Sequence, residues 1–208
     1  MFSLSKQEEK IFRRLDKPKK IQDFLDTLSI NFEPKGDTCS SPRVVLKRKS
    51  AHCIEAAIFA AAVMTYHRQY PLLLDLKANT RDYDHVVCLF KSGKYYGAIS
   101  KSNHVTLRYR EPVYTSVREL AMSYFHEYIN DAGEKTLRSF SKPHSLKKYG
   151  TEWVTSADDL WEIANELDEI KHFNILPKGL RLRKADKIEL SAGKLIEWKS
   201  SSKKSAKI

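Results

Sequence analysis

Cys53 is the residue from which chemistry can start. It follows Lys49-Ser50-Ala51-His52 and opens a run whose body, Ala56 to Met64, is entirely apolar. Ser50 reads as the N-cap of this helix, which puts Cys53 in the first turn. There the helix dipole and unpaired backbone N–H groups acidify a thiol. The same N–H groups can hold the oxyanion of a tetrahedral intermediate, a contribution of about 3–4 kcal/mol per donor. Further along, Asp84-His85-Val86-Val87-Cys88-Leu89-Phe90 sets a histidine at the start of a strand pattern. An imidazole beside a thiolate pairs with it and later protonates the leaving group. If Cys53 and His85 meet, the chain carries a nucleophile for acyl transfer.

The other histidines are less well placed. His52 adjoins the cysteine, and helix neighbours point roughly 100° apart, which spoils it as a base. His126 and His172 fall on amphipathic helical stretches, and His144 on a polar connector. His85 begins a strand too apolar to be anything but central, where an unpaired polar side chain is costly. A two-residue turn at Ser92-Gly93 makes a hairpin of His85–Phe90 and Tyr95–Ser100, placing His85 opposite Ser100. Ser100 is therefore the candidate to orient the ring, with Asn103 next if the register shifts. Asp84 should face away from His85. Cys88 reads as a core thiol and Cys39 as a residue of a polar loop without a partner. Arg108 and Arg110 either read a substrate carboxylate or phosphate or form surface ion pairs, the commoner role of such arginines.

The elements that must position these residues follow from periodicity. Ser5 and Glu8 form a capping-box pattern before a stripe of Ile11, Phe12 and Leu15. Pro18 interrupts, and a second stripe runs through Ile21, Phe24, Leu25 and Leu28. Residues 29–50 read as a loop with Pro34, Gly36 and Ser41-Pro42 as breakers. The apolar helix after Cys53 should be buried all round. Strands are expected at 71–76, at the hairpin, and at 107–109 until Glu111-Pro112 ends the sheet. Ser116 starts a helix, 130–149 is a connector, and Ser156 to Asp159 cap a helix stopped by Pro177-Lys178-Gly179. A small terminal β element is expected over 180–198.

These residues resemble the transglutaminase-like superfamily, which has a papain-like cysteine hydrolase fold. The resemblance rests on Ser50-Ala51-His52-Cys53-Ile54-Glu55-Ala56-Ala57, on Asp84-His85-Val86-Val87, and on Lys94-Tyr95-Tyr96-Gly97-Ala98-Ile99-Ser100, within residues 45–110. The family's aspartate position falls on Ser100, leaving the third role open between Ser100 and Asn103. The resemblance implies hydrolysis of a peptide or amide, or acyl transfer to an amine, through Cys53 and His85. The substrate is then a peptide, protein or other amide, and neither metal nor organic cofactor is needed.

The expected fold is α+β, with a papain/transglutaminase-like core whose buried central helix packs on an antiparallel sheet. Its parts are a helical extension and loop over 1–44, the core over 45–130, a helix and small β extension over 131–198, and a disordered basic tail over 199–208. At 208 residues and 41% apolar content the chain can bury a real core. It holds no apolar run near the ~18 residues of a membrane span. Its N-terminus lacks a signal-peptide layout, so a cytoplasmic location is expected. Three cysteines without CxxC spacing argue against a disulfide framework or a zinc site. The net charge of +11 owes four lysines to the tail, and no nucleic-acid-binding motif accompanies it. Two rival readings are a degenerate module that binds a peptide in the old cleft and a basic nucleic-acid-associated protein using Lys47–Lys49 and the tail.

Overall fold

The computed structural model describes residues 2–199. The chain begins with two short helices that follow the expected stripes. In α1 (Lys6–Arg14) the Ser5 hydroxyl accepts from the Glu8 N–H, and the Ser5 N–H donates back to the Glu8 carboxylate. This reciprocal cap satisfies two donors that a first turn leaves open. Pro18 then opens α2 (Pro18–Asp26), since a missing N–H costs nothing at the first helical position.

The segment expected to be a loop carries structure. Ser41 caps the Val44 N–H and Pro42 takes the first position of α3 (Pro42–Arg48), so the supposed breaker is a helix start. Lys49 ends α3 in the left-handed region, at φ 57°. β1 (Ser29–Ile30) and β2 (Ser50–Ala51) then pair in parallel. This pairing takes Ser50 away from the capping role assigned to it. His52 is the N-cap of α4 (Cys53–Tyr66), and Cys53 is its first helical residue. Every residue from Glu55 to Met64 is buried, as a helix apolar all round must be.

Six strands form one antiparallel sheet. They are β3 (Leu72–Ala78), β4 (His85–Ser92), β5 (Tyr95–Ile99), β6 (Arg110–Tyr114), β7 (Leu137–Ser141) and β8 (His172–Asn174), in the order β6-β5-β4-β3-β7-β8. The remaining helices are α5 (Val117–Met122), α6 (Trp161–Glu169) and α7 (Lys187–Gly193), making seven α-helices among the described residues. Period-2 alternation divides the sheet between two cores. Leu73, Val86, Cys88 and Phe90 face α4, which α1, α2, α3 and α6 surround. Leu74, Leu76, Val87 and Leu89 face Leu120, Ala121 and Tyr124 in and after α5. The α+β class and the antiparallel sheet are as expected.

Several elements differ from the expectation, each for a local reason. Pro112 does not end the sheet but lies within β6, an edge strand, where a missing donor is tolerated. The expected connector contains β7, which pairs with both β3 and β8, so the sheet runs across the boundary expected at 130/131. Leu160 is the N-cap of α6; Asp159 instead accepts from the Cys39 N–H at 3.0 Å. Of the expected terminal β element, residues 187–193 form α7 instead, begun by a capping box of Asp186 and Glu189, while Ile196 keeps an antiparallel bridge to His104. Residues 200–208 of the expected tail lie outside the described residues. No helix among the described residues is long and apolar enough to cross a membrane.

Gly97 marks a close approach in β5. A Cβ there would press into the Phe90 ring and lie 2.9 Å from the Arg110 carbonyl oxygen. Phe90 cannot retreat freely because its ring stacks on Tyr109 with centroids 5.8 Å apart. Gly97→Ala is therefore expected to cost about 1–3 kcal/mol by overpacking. A urea midpoint unchanged from wild type would show that the contact can relax.

Candidate active site

Cys53 and His85 reach the site from two elements packed against each other, α4 and β4. The helix supplies the thiol from its first position, and β4 supplies the ring from its first residue. His85 is buried, and its Nε2 lies 2.7 Å from Ser100 Oγ. The Ser100 hydroxyl proton is already committed, because Oγ donates to the Leu107 carbonyl at 2.8 Å. Ser100 Oγ must therefore accept from an Nε2–H. That tautomer leaves Nδ1 for the thiol, and the same arrangement serves imidazole and imidazolium.

The contact arises from a register other than the one expected. Cys88 pairs with Ile99 and Ser92 with Tyr95, so the turn is Gly93-Lys94, one residue later than Ser92-Gly93. Extending that ladder would set position 102 opposite His85. Ser100 is instead a diagonal neighbour on the same face, within reach of a long side chain. Gln22 of α2 fixes it by two backbone bonds, donating to the Ser100 carbonyl at 2.8 Å and accepting from its N–H at 3.0 Å. Asn103 does not reach this position. Its side chain accepts from the Trp198 N–H at 2.8 Å and donates to the Trp198 carbonyl at 3.0 Å.

His52 is the largest departure from the sequence reading. As N-cap it has an extended backbone, at φ −101° and ψ −171°, so the 100° helical offset does not apply to it. Its Nε2 lies 2.9 Å from the Thr38 carbonyl, 3.3 Å from Glu33 Oε1 and 3.7 Å from Glu55 Oε1. Burial disfavours its charged form, but the Cys53 thiolate and the two carboxylates outweigh burial and raise its pKa to about 9. Burial likewise opposes ionisation of Cys53, yet the neighbouring imidazoles of His52 and His85 and their charges bring the thiol down to about 5. The cysteine thus lies between two imidazoles. The signal that could have found the second was the capping position itself, where a side chain turns back over the first turn.

Beneath the helix mouth lies Glu55, fully buried yet ionised. Its carboxylate accepts from the Ser40 N–H at 3.1 Å, the His52 N–H at 3.1 Å, Thr38 Oγ1 at 2.9 Å and the Arg48 guanidinium at 2.6 Å. Burial pushes its pKa up, but the His52 charge and the Arg48 bond prevail and hold it near 2. A charge in the first turn of an apolar helix was the sequence cue for this anchor.

A cleft of about 270 Å³ leads to the thiol. Its walls include Ile30, Phe32, Tyr83, Tyr128 and the loop Lys101–His104. Phe32 and Tyr83 are exposed at its rim. Lys101 is spent on structure, donating to the carbonyls of Leu25 and Leu28 at 2.8 and 2.7 Å, and burial lowers its pKa. Asp84 turns toward β3, where Oδ1 accepts from the Ala78 N–H at 2.7 Å. Asp75, Asp84 and Asp168 offer carboxylate oxygens within 4.8 Å of one another, the grouping best suited to a cation among the described residues. It carries counter-charges of its own, with Lys77 on Asp168 and His172 Nε2 3.0 Å from Asp75.

The remaining candidates have structural partners. Cys88 is buried in the core, and burial pushes its thiol up. Cys39 lies in an irregular segment, as expected, but is fully buried, and burial, with Glu55 and Asp159 nearby, raises it to about 12. Arg108 pairs with Glu197 and Arg110 with Glu127. His172 belongs to β8 and not to a helix, while buried His144 bridges to Leu73 of β3. What the site offers chemically is one acidified, partly accessible thiol with two imidazoles, helix-mouth N–H donors and a lined approach. No protein-family model and no curated protein matches the chain.

Proposed function

We propose that this protein performs cysteine-dependent amide or acyl chemistry on a papain-like core of the transglutaminase-like type. The supporting observation is the Cys53 thiol at the first position of buried α4, with a pKa near 5 between two imidazoles. Sγ attacks the substrate carbonyl carbon, and the carbonyl π pair moves to oxygen. The first-turn N–H groups, which lack intrahelical acceptors, receive that oxyanion. As the intermediate collapses, the C–N bond breaks and the His85 imidazolium gives its proton to the departing amine. A thioester on Cys53 remains. Water or an amine then attacks it, His85 takes the proton, and the C–S bond breaks to restore the thiolate. Water yields an acid and an amine yields a new amide.

The exposed rings of Phe32 and Tyr83 at the rim suit a polypeptide or amide substrate. Three free cysteines, one of them ionised, favour a reducing compartment such as the cytoplasm. One observation favours a second reading, a peptide-binding module without turnover. Ser100 brings no negative charge to His85 where the family has aspartate, so imidazolium is less well supported.

Intact-mass analysis after incubation with an activated ester separates the two. The enzyme should gain one acyl mass on Cys53, absent in Cys53→Ala and slowed in His85→Ala. An alkylatable Cys53 that never takes up an acyl group would favour the binding module.

A further inference from the structure

We propose that residues 103–105 are an edge to which an extended peptide adds as a strand beside the thiol cleft, and that the chain's own residues 195–198, which follow α7, occupy that edge as an internal stand-in. The proposal rests on the reading of Cys53 as nucleophile and names the class of substrate it would serve. The segment is bound as an added strand is bound, through main-chain groups. The Val105 N–H donates to the Leu195 carbonyl at 3.2 Å, and the Glu197 N–H donates to the Asn103 carbonyl at 3.1 Å. Asn103 clamps the Trp198 peptide from both sides, and His104 pairs with Ile196 as an antiparallel bridge. Main-chain bonds of this kind supply affinity in strand addition, while side-chain pockets supply selectivity.

One feature indicates selectivity, and another sets the edge beside the thiol. Glu197 forms an ion pair with Arg108, whose buried Nε has no hydrogen-bond partner of its own. Gly193, the last residue of α7, lines the Cys53 cavity, and its carbonyl oxygen is 2.8 Å from His104 Nδ1, so the edge lies next to the thiol cleft. A peptide replacing residues 195–198 would bring a carboxylate to Arg108.

The attachment is built to exchange. None of the seven residues of α7 is buried, and Leu195, Ile196 and Trp198 remain exposed. What holds α7, which leads into the segment, is polar, including the Lys135–Glu189 pair at 3.0 Å and the Ala185 N–H to Gly133 carbonyl bond at 2.8 Å just before it. Elements with exposed hydrogen bonds and little apolar burial open first. A tethered segment of this type competes at an effective concentration of about a millimolar.

The test uses the full chain carrying Glu197→Pro, which removes both the Glu197 N–H donor and its carboxylate. Glu197→Lys serves as a second variant that keeps the backbone donor. The probe is a fluorescein-labelled peptide with the sequence of residues 193–198, read by anisotropy. Both variants should bind it at least about tenfold tighter than wild type, because the internal competitor is weakened. A peptide with lysine in place of its glutamate should lose that gain. Equal affinity for wild type and both variants overturns the proposal, as does indifference to the glutamate. Iodoacetamide labelling of Cys53 in the same samples reads the nucleophile independently. A tighter peptide with an inert Cys53 supports the binding edge while the thiolate reading fails.

Discussion

With iodoacetamide, Cys53 of the wild-type chain should alkylate along a titration centred near pH 5, and the double variant His52→Ala/His85→Ala along one displaced to at least the ordinary thiol value. The sign follows from the balance at the site. Burial alone raises the thiol, and only the two imidazoles bring it down. Removing both leaves burial unopposed. At pH 6 a thiol of pKa about 8.5 holds roughly 300-fold less thiolate than one of pKa 5. A more basic thiolate is also a better nucleophile, by about 25- to 60-fold over that interval if the exponent known for disulfide exchange applies. The net expectation is a fall of about tenfold at pH 6 and a rise of about thirtyfold at pH 9, so the two profiles cross near neutrality. Parallel profiles that never cross would remove the imidazoles from any role in ionising Cys53. The same pairing has a stability window. The contribution from the depressed Cys53 is lost as pH falls through about 5, and that from the raised His52 as pH rises through about 9.

Glu55→Ala should destabilise the fold by about 3–5 kcal/mol, because it strips a buried charge network of its centre. For a chain of this length that corresponds to a fall in Tm of roughly 6–20 °C. The carboxylate neutralises Arg48, receives backbone N–H groups from Ser40 and His52, and ties residue 38 to the helix mouth. Without it those donors are stranded inside the protein, and His52 loses one of the charges that raise its pKa. Since the depressed Glu55 contributes above its ordinary pKa and loses that contribution as pH falls toward about 2, the variant should differ least from wild type in strong acid. A loss below about 1 kcal/mol at pH 7 would mean that the carboxylate is solvated and not the anchor assigned to it.

Much of the frame was legible because it is written in local patterns. The Ser5–Glu8 box, the all-round apolar body of α4 and the alternating hairpin strands each depend on residues within a few positions of one another. Other features misled for physical reasons. Ser41-Pro42 and Glu111-Pro112 look alike as breakers, yet one starts a helix and the other lies in an edge strand. Only the neighbours of each proline decide whether its missing N–H matters. β7 was hidden because its buried serines are polar. Ser141 Oγ accepts from the Asp75 N–H at 2.9 Å, so its side chain is paid for by a strand distant in sequence. The His85–Ser100 contact was anticipated from a register that is wrong by one turn residue, and a diagonal approach brings the pair together nonetheless.

By itself the order of residues determined that an acidifiable cysteine opens a buried helix and that a histidine opens a central strand, since capping and periodicity act over one or two turns of chain. Tertiary structure alone decided the company they keep. Gln22 braces Ser100, Glu33 and Thr38 hold His52, and Asn103 goes to the C-terminal segment. These partners lie many residues apart, and a hydrogen bond between such groups depends on where folded elements come to rest.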